Sequence, residues 1–228
     1  MYQLHIANKN YSSWSLRPWV LMKELDIPFD EIMHPFGVED DWKHFIRLNP
    51  SGKVPCLLVN ETEVIWDSLA IIEYLAEKYG SVWPDDNKAR HWARCATAEM
   101  HASFAELRNV CSMNCGLRIR LNTISSALAK DITRIDDLWK SGLRQFGGPF
   151  LAGATFSAVD AFYAPVVFRF QTYGIELSAE SQIYRDNLLS VESMQSWYEA
   201  ALSESFRDEA HERDCTLHGE ITADLRNA

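Results

Sequence analysis

Two serine-bearing turns in this chain each lead straight into an apolar helical segment. Tyr11-Ser12-Ser13-Trp14-Ser15 precedes Leu16-Arg17-Pro18-Trp19-Val20-Leu21-Met22, and Asp67-Ser68 opens Leu69-Ala70-Ile71-Ile72. A helix N-terminus carries about half a positive charge and several amides without partners, so it favours an anion. A serine hydroxyl placed there can add a charge-assisted hydrogen bond to a thiolate or a carboxylate. The plainer role is helix capping, which needs only one serine or aspartate per helix. Proline is tolerated in a first helical turn, so the first helix is placed to begin near Ser15 to Arg17, with Ser15 as its cap.

Other residues narrow the chemistry by exclusion. The five cysteines, at positions 56, 95, 111, 115 and 215, are odd in number and contain no C-x-x-C pair. That pattern builds neither a disulfide framework nor a zinc knuckle, and it reads as a reduced, cytoplasmic protein without a metal. Cys111 and Cys115 are four apart, but no nearby third ligand completes a site. A formal charge of −10 disfavours nucleic acid and anionic membrane as partners. No apolar run approaches the roughly 20 residues of a membrane span. The segment MYQLHIANKNYSS lacks the basic and apolar regions of a secretion signal.

The elements that must position the two turns follow from periodicity. Tyr2, Leu4 and Ile6 alternate with Gln3, His5 and Ala7 as in a strand. Phe29 to Met33, Val54 to Val59 and Glu63 to Trp66 are further strands, and Glu39 to Leu48 is a short helix before Asn49-Pro50. The order β-α-β-α-β-β-α implies a right-handed parallel βαβ unit followed by an antiparallel hairpin. This α/β domain covers residues 1–80, a polar, proline-interrupted linker covers 81–88, and an all-helical domain covers 89–228. In the second domain Ala93, Ala96, Met100, Phe104, Leu107 and Cys111 form one stripe, and Ile124, Leu128, Ile132, Ile135, Trp139 and Leu143 another. Both are read as core, because a bundled helix must bury such a stripe. Ala158 to Tyr173 is apolar almost all round, which marks a central buried helix, with Ser157 and Asp160 as its capping box and Pro165 kinking it. The charged, aromatic-poor stretch from Glu204 is read as a terminal helix or a frayed tail.

Four segments in this order resemble the cytosolic glutathione transferase superfamily over nearly the whole chain. They are Ser12-Ser13-Trp14-Ser15-Leu16-Arg17, Asn49-Pro50-Ser51-Gly52-Lys53-Val54-Pro55, Asp67-Ser68-Leu69-Ala70-Ile71 and Ser157-x-x-Asp160. The first is similar to the Ser-Ser-x-Ser-x-Arg turn of serine-type bacterial members and of the zeta class, the maleylacetoacetate isomerase-like enzymes. The resemblance implies a thioredoxin-like first domain, a helical second domain, a homodimer, and glutathione as co-substrate with no metal.

It also implies roles for single residues. Ser12 matches the catalytic serine, which donates to glutathione's sulfur and is not itself a nucleophile. Free glutathione's thiol has a pKa of about 8.5, and lowering it by two units takes about 2.7 kcal/mol, within reach of one charge-assisted bond plus the helix terminus. Ser13 assists; Trp14 stands where the zeta class has cysteine and forms an aromatic wall beside the sulfur. Val54 pairs its main chain with the cysteinyl unit if Val54-Pro55 is cis. Asp67 and Ser68 take the γ-glutamyl ammonium and carboxylate, and Lys53 suits the glycyl end. Tyr11 adjoins the turn but matches no class that uses tyrosine.

The second substrate belongs between the two domains. His101 and Arg108, seven apart, share a helix face beside Met100, Phe104 and Leu107, and Arg118 and Arg120 follow. With Trp14 they would form a basic, aromatic-lined mouth for a small hydrophobic electrophile, anionic or nitro-bearing; a solvated helix face or a subunit contact gives the same spacing. The expected activity is conjugation of glutathione. Alternatives are a glutathione-dependent cis–trans isomerase of the maleylacetoacetate or maleylpyruvate type, and a non-catalytic binding or regulatory protein of this fold.

Overall fold

A computed structural model describes residues 1–227. The chain opens with β1 (Tyr2–Ile6), α1 (Ser13–Glu24), β2 (Phe29–Met33), α2 (Glu39–Leu48), β3 (Cys56–Leu58), β4 (Val64–Trp66) and α3 (Ser68–Ala76). The sheet order is β2-β1-β3-β4, with β1 parallel to β2 and antiparallel to β3. Leu4 and Ile6 of the inner strand are fully buried, and so are Leu16, Val20 and Leu21 of α1. Strand β3 begins two residues later than its apolar run, since Pro55 has no amide to give a ladder. Helix α2 buries only Phe45 and opens on Glu39, Asp40 and Asp41, acids that suit a helix N-terminus.

The connecting segment is less solvated than its composition implies. A single 3-10 turn spans Gly80–Val82, and Val82 and Trp83 are buried.

Beyond it lie α4 (Asn87–Ala102), α5 (Ala105–Val110), β5 (Leu117–Leu121), α6 (Ser126–Phe146), α7 (Ala158–Thr172), α8 (Ala179–Ser190), α9 (Glu192–Ser203), α10 (Glu209–Thr216) and β6 (Gly219–Asp224). Helix α7 is central and runs through Pro165 without a break. At its start the Asp160 carboxylate accepts from the amides of Ser157 and Leu151, both at 3.0 Å. It also accepts from the Tyr184 hydroxyl at 3.2 Å, and burial pushes its pKa up to about 6. Helix α1 packs against α7, α9 and α3, so one core joins the sheet to the helices. Among the described residues no helix is long and apolar enough to cross a membrane.

Three details depart from the periodicity reading. The stripe from Ala93 to Cys111 is buried but is not one helix. It breaks at Ser103-Phe104, where Phe104 takes the left-handed conformation with φ 63°. Ile124 precedes α6 and is 55% exposed, so it leaves the second stripe. The stretch from Glu204 is neither frayed nor purely helical: α10 is followed by β6, which pairs antiparallel with β5. At Gly219 a side chain would meet the Arg120 carbonyl oxygen at 2.6 Å, so the ribbon closes only on glycine.

Candidate functional site

The first serine turn is built from the backbone outward. The amides of Tyr11 and Ser12 donate to the Asn8 carbonyl at 3.1 and 2.8 Å, and Ser12 becomes the N-cap residue of α1. Ser15 therefore lies inside the helix, one turn later than a cap. Its hydroxyl accepts from the Ala7 amide at 3.2 Å and is hydrogen-bonded to the Ser12 hydroxyl at 2.7 Å. This corrects the assignment of Ser15 as the cap: a fully buried serine that satisfies a strand amide is a fixture of the interior.

Ser12, Ser13 and Trp14 line a cavity of about 760 Å³. The loop before β3 forms a second wall with Lys53, Val54 and Pro55, and the Val54-Pro55 bond is cis. Buried Asn49 shapes that loop, donating to the Lys53 carbonyl at 2.9 Å and accepting from the Ser51 amide at 3.1 Å. Asp67 and Ser68 form a third wall. Asp67 caps α3 by accepting from the Leu69 amide at 2.8 Å, while its own φ is 72°. The Ser68 hydroxyl is buried and accepts from Arg17 Nη1 at 3.3 Å.

The electrophile-side residues are arranged differently from a single helix face. His101 does not line the cavity. It stands behind Trp14, edge-on with centroids 5.4 Å apart, and its Nε2 is 3.6 Å from the Asp67 carboxylate. Burial first lowers the pKa of His101, against the pull of Asp67. The helix break brings Arg108 back beside it: Arg108 Nη2 donates to the carbonyls of Met100 and, at 3.2 Å, His101. Arg108 lines the cavity with its guanidinium 4.8 Å from the Trp14 ring centroid. Arg118 and Arg120 sit on β5 and face another cavity, of about 600 Å³, so they are no part of this mouth.

Sequence reasoning missed two arginines and a whole wall. Arg17, 2% exposed, lies 4.0 Å from the Trp14 ring centroid. Arg169, from the last turn of α7, donates to the Ser13 hydroxyl at 3.2 Å and to the Cys111 carbonyl. Burial lowers the pKa of both, Arg169 to about 10, and neighbouring arginines add to the effect. A signal for Arg169 existed: it is the lone cation of α7, and Ala161 to Phe168 ahead of it carry no charge.

The missing wall is the C-terminal segment. His211 and Asp214 line the cavity, and His211 stacks on Tyr11 at 5.1 Å. The Tyr11 hydroxyl donates to Glu212 at 2.6 Å, and burial plus that carboxylate raise its pKa. Tyr11 is thus engaged with the C-terminal segment.

Comparisons with known proteins agree with this architecture. The family model "Glutathione S-transferase, N-terminal domain" matches residues 11–78, and "Glutathione S-transferase, C-terminal domain" matches 96–200. Glutathione S-transferase GstB of Escherichia coli is 34% identical over 102 residues, covering 42% of this chain and 46% of that protein, so the match spans about half of that relative. Maleylacetoacetate isomerase of Pseudomonas aeruginosa is 38% identical over 80 residues, covering 34% of this chain and 37% of that protein. Among solved structures, a glutathione transferase homolog from Burkholderia with bound glutathione has a TM-score of 0.66 at 18% identity, covering 88% of this chain and 97% of that one. Ure2p in complex with glutathione has a TM-score of 0.63 at 15% identity, covering 87% and 93%. With N- and C-terminal models of one family matched in order on this fold, the chain belongs to the glutathione S-transferase superfamily.

Proposed function

We propose that this protein is a glutathione transferase that stabilises the glutathione thiolate with the Ser12 hydroxyl and the N-terminus of α1, and adds it to a small electrophile. The observation that carries the reading is the convergence of Ser12, Ser13, Lys53, Val54, Asp67 and Ser68 on one cavity. In this reading residues 1–80 hold glutathione, 89–228 supply the electrophile side, and 81–88 join them.

Each part of glutathione finds chemically suited neighbours. The γ-glutamyl carboxylate suits the Ser68 hydroxyl and the α3 amides, with Arg17 one bond behind. The γ-glutamyl ammonium suits Asp67 and the glycyl carboxylate suits Lys53 at the rim. Val54 offers its main chain to the cysteinyl unit. The sulfur then falls to the serine turn, with Trp14 as its apolar wall.

The hydroxyl pair can act in relay. As folded, the Ser12 hydroxyl donates to Ser15 Oγ, which also accepts from the Ala7 amide. Rotating both hydroxyls so that Ser15 donates to Ser12 Oγ turns the Ser12 proton toward the sulfur. A charge-assisted hydrogen bond contributes about 1.5–3 kcal/mol. The helix terminus adds about 0.3–1 kcal/mol, more where partly buried. Together these cover the roughly 2.7 kcal/mol needed to lower a thiol pKa by two units.

The similarity to maleylacetoacetate isomerase supports a second reading, glutathione-dependent cis–trans isomerisation. Trp14, in place of the zeta cysteine, weighs against it. The test is conjugation of glutathione to a chloronitroarene, in which the thiolate displaces chloride, by wild type and Ser12→Ala. Conjugation that falls by about two orders of magnitude in the variant supports the reading, at the roughly 2.7 kcal/mol above. Equal rates overturn the role of Ser12, and isomerisation without conjugation favours the second reading. A homodimer is part of the proposal, and light scattering that returns the mass of one chain overturns that part.

A further inference from the structure

Three guanidiniums, from three different helices, gather around Trp14 and Ser13. Arg17 comes from α1, Arg108 from α5 and Arg169 from α7. Arg17 and Arg108 both lie within cation–π distance of Trp14, at 4.0 and 4.8 Å. Arg169 binds the Ser13 hydroxyl and reaches the Arg108 carbonyl at 3.5 Å.

None of the three has an anionic partner among the described residues. Among the described residues, no carboxylate oxygen lies within 4.0 Å of any of these guanidiniums. Asp131, which acts on Arg108 at longer range, accepts instead from the Leu107 amide at 3.1 Å. Asp67 sits near His101 and caps α3. The partners the arginines do have are neutral: one hydroxyl for Arg17, two carbonyls for Arg108, and a hydroxyl and two carbonyls for Arg169. Each guanidinium has five N–H donors, and the Nε atoms of Arg17 and Arg108 are buried with no partner.

Burying like charges together without counter-ions is costly, and a buried cation normally pairs. The chain itself is acidic, so carboxylates to neutralise the cluster are plentiful; none of the described ones is placed there. The cluster is therefore arranged for an anion that comes from outside.

Resting on the glutathione reading above, we infer that Arg108 and Arg169 hold a carboxylate on the second substrate, so that the electrophile is a flat, apolar molecule bearing one carboxylate. Glutathione's own carboxylates are spoken for elsewhere in that reading. The γ-glutamyl group lies at Ser68 and accounts for Arg17, and the glycyl group lies at Lys53. Arg108 and Arg169 line the cavity from the helical side, beside Trp14 and Met113, which offer the apolar wall. Arginine suits this task because its planar fork pairs with a carboxylate through two parallel hydrogen bonds. Both cations also sit beside the serine turn, so they favour negative charge on the sulfur as well.

The test is equilibrium binding, which needs no turnover. S-benzylglutathione and its meta- and para-carboxybenzyl analogues are titrated calorimetrically into wild type, Arg108→Gln and Arg108→Lys at one salt concentration. A desolvated charged hydrogen bond contributes about 1.5–3 kcal/mol, so at least one carboxylated analogue binds roughly ten- to a hundredfold tighter than S-benzylglutathione in wild type. The advantage collapses in Arg108→Gln and survives in part in Arg108→Lys, which keeps the charge but loses the fork. Equal or weaker binding of both carboxylated analogues in wild type overturns the inference while leaving glutathione binding intact. An advantage that persists in Arg108→Gln overturns the assignment to Arg108. Failure of all three ligands to bind wild type removes the glutathione reading, and the inference with it.

Discussion

The hydroxyls of Ser12 and Ser15 are hydrogen-bonded at 2.7 Å, and Ser15 in turn takes the amide of Ala7 from the end of β1. This short chain ties the mouth of the cavity to the sheet. Ser15→Ala removes the hydroxyl acceptor of the buried Ala7 amide, which costs about 1–3 kcal/mol of stability. It also leaves Ser12 free to rotate. Urea unfolding should show that loss, and glutathione conjugation should fall, though by less than in Ser12→Ala. Stability unchanged in Ser15→Ala would contradict the chain.

The C-terminal segment is held by Glu212. Its carboxylate accepts from Tyr11 at 2.6 Å, from Asn114 at 3.3 Å and from the nearly buried Arg226. Glu212→Ala strands those donors, with an expected cost of about 2–4 kcal/mol. Limited proteolysis should then cut beyond Ser203 faster than in wild type, and KM for glutathione should rise as His211 leaves the cavity wall. An unchanged cleavage pattern would show that Glu212 is not the clasp.

A pH dependence follows from His5. Its Nδ1 is 2.8 Å from His34 Nε2, and His34 Nδ1 is 2.6 Å from Asp41. Burial first, and His34 second, lower the His5 pKa to about 4 from 6.5. The folded state thus disfavours the charged form, whose added proton would sit on a buried Nε2 with no acceptor. Stability is therefore full above the unfolded pKa and is lost as pH falls from 6.5 toward 4. The loss is about 3 kcal/mol at most. His5→Gln should flatten the stability–pH curve over that range, and parallel curves would refute the assignment.

Asp160 tests the joint between the two halves of the helical core. Asp160→Ala leaves the Leu151 and Ser157 amides and the Tyr184 hydroxyl without their acceptor, a cost of about 3 kcal/mol. Asp160→Asn keeps one carbonyl acceptor and should cost less. Urea midpoints for the two variants in the opposite order would contradict this account.

Much of this arrangement is legible in the sequence because it is local. The alternation in Tyr2 to Ile6, the proline at 55 and the Asp67-Ser68 helix start act over a few residues. The parallel β1–β2 pair and the β3–β4 hairpin follow from the βαβ unit and the short connection, whereas the pairing of β1 with β3 does not. The parts that were not legible depend on distance. Arg169 meets Ser13 across 156 positions, and Tyr11 meets Glu212 across 201. The β5–β6 ribbon joins segments about a hundred residues apart. Leu117-Arg118-Ile119-Arg120-Leu121 does alternate as a strand should, a local signal that sequence reasoning missed, but its partner β6 is fixed only by packing. The break at Phe104 is hidden because its apolar spacing continues unbroken across a left-handed residue. Side-chain type marks the buried arginines as unusual, but only packing shows that they converge.

The central claim is that Ser12 stabilises the thiolate of bound glutathione. The direct measurement is the ultraviolet absorbance of that thiolate, titrated with pH in wild type and in Ser12→Ala at saturating glutathione. The account predicts that bound glutathione in wild type titrates about two pKa units below the free thiol value of about 8.5. It predicts a return of at least about one unit toward that value in Ser12→Ala. Bound glutathione that titrates identically in both proteins would contradict the claim.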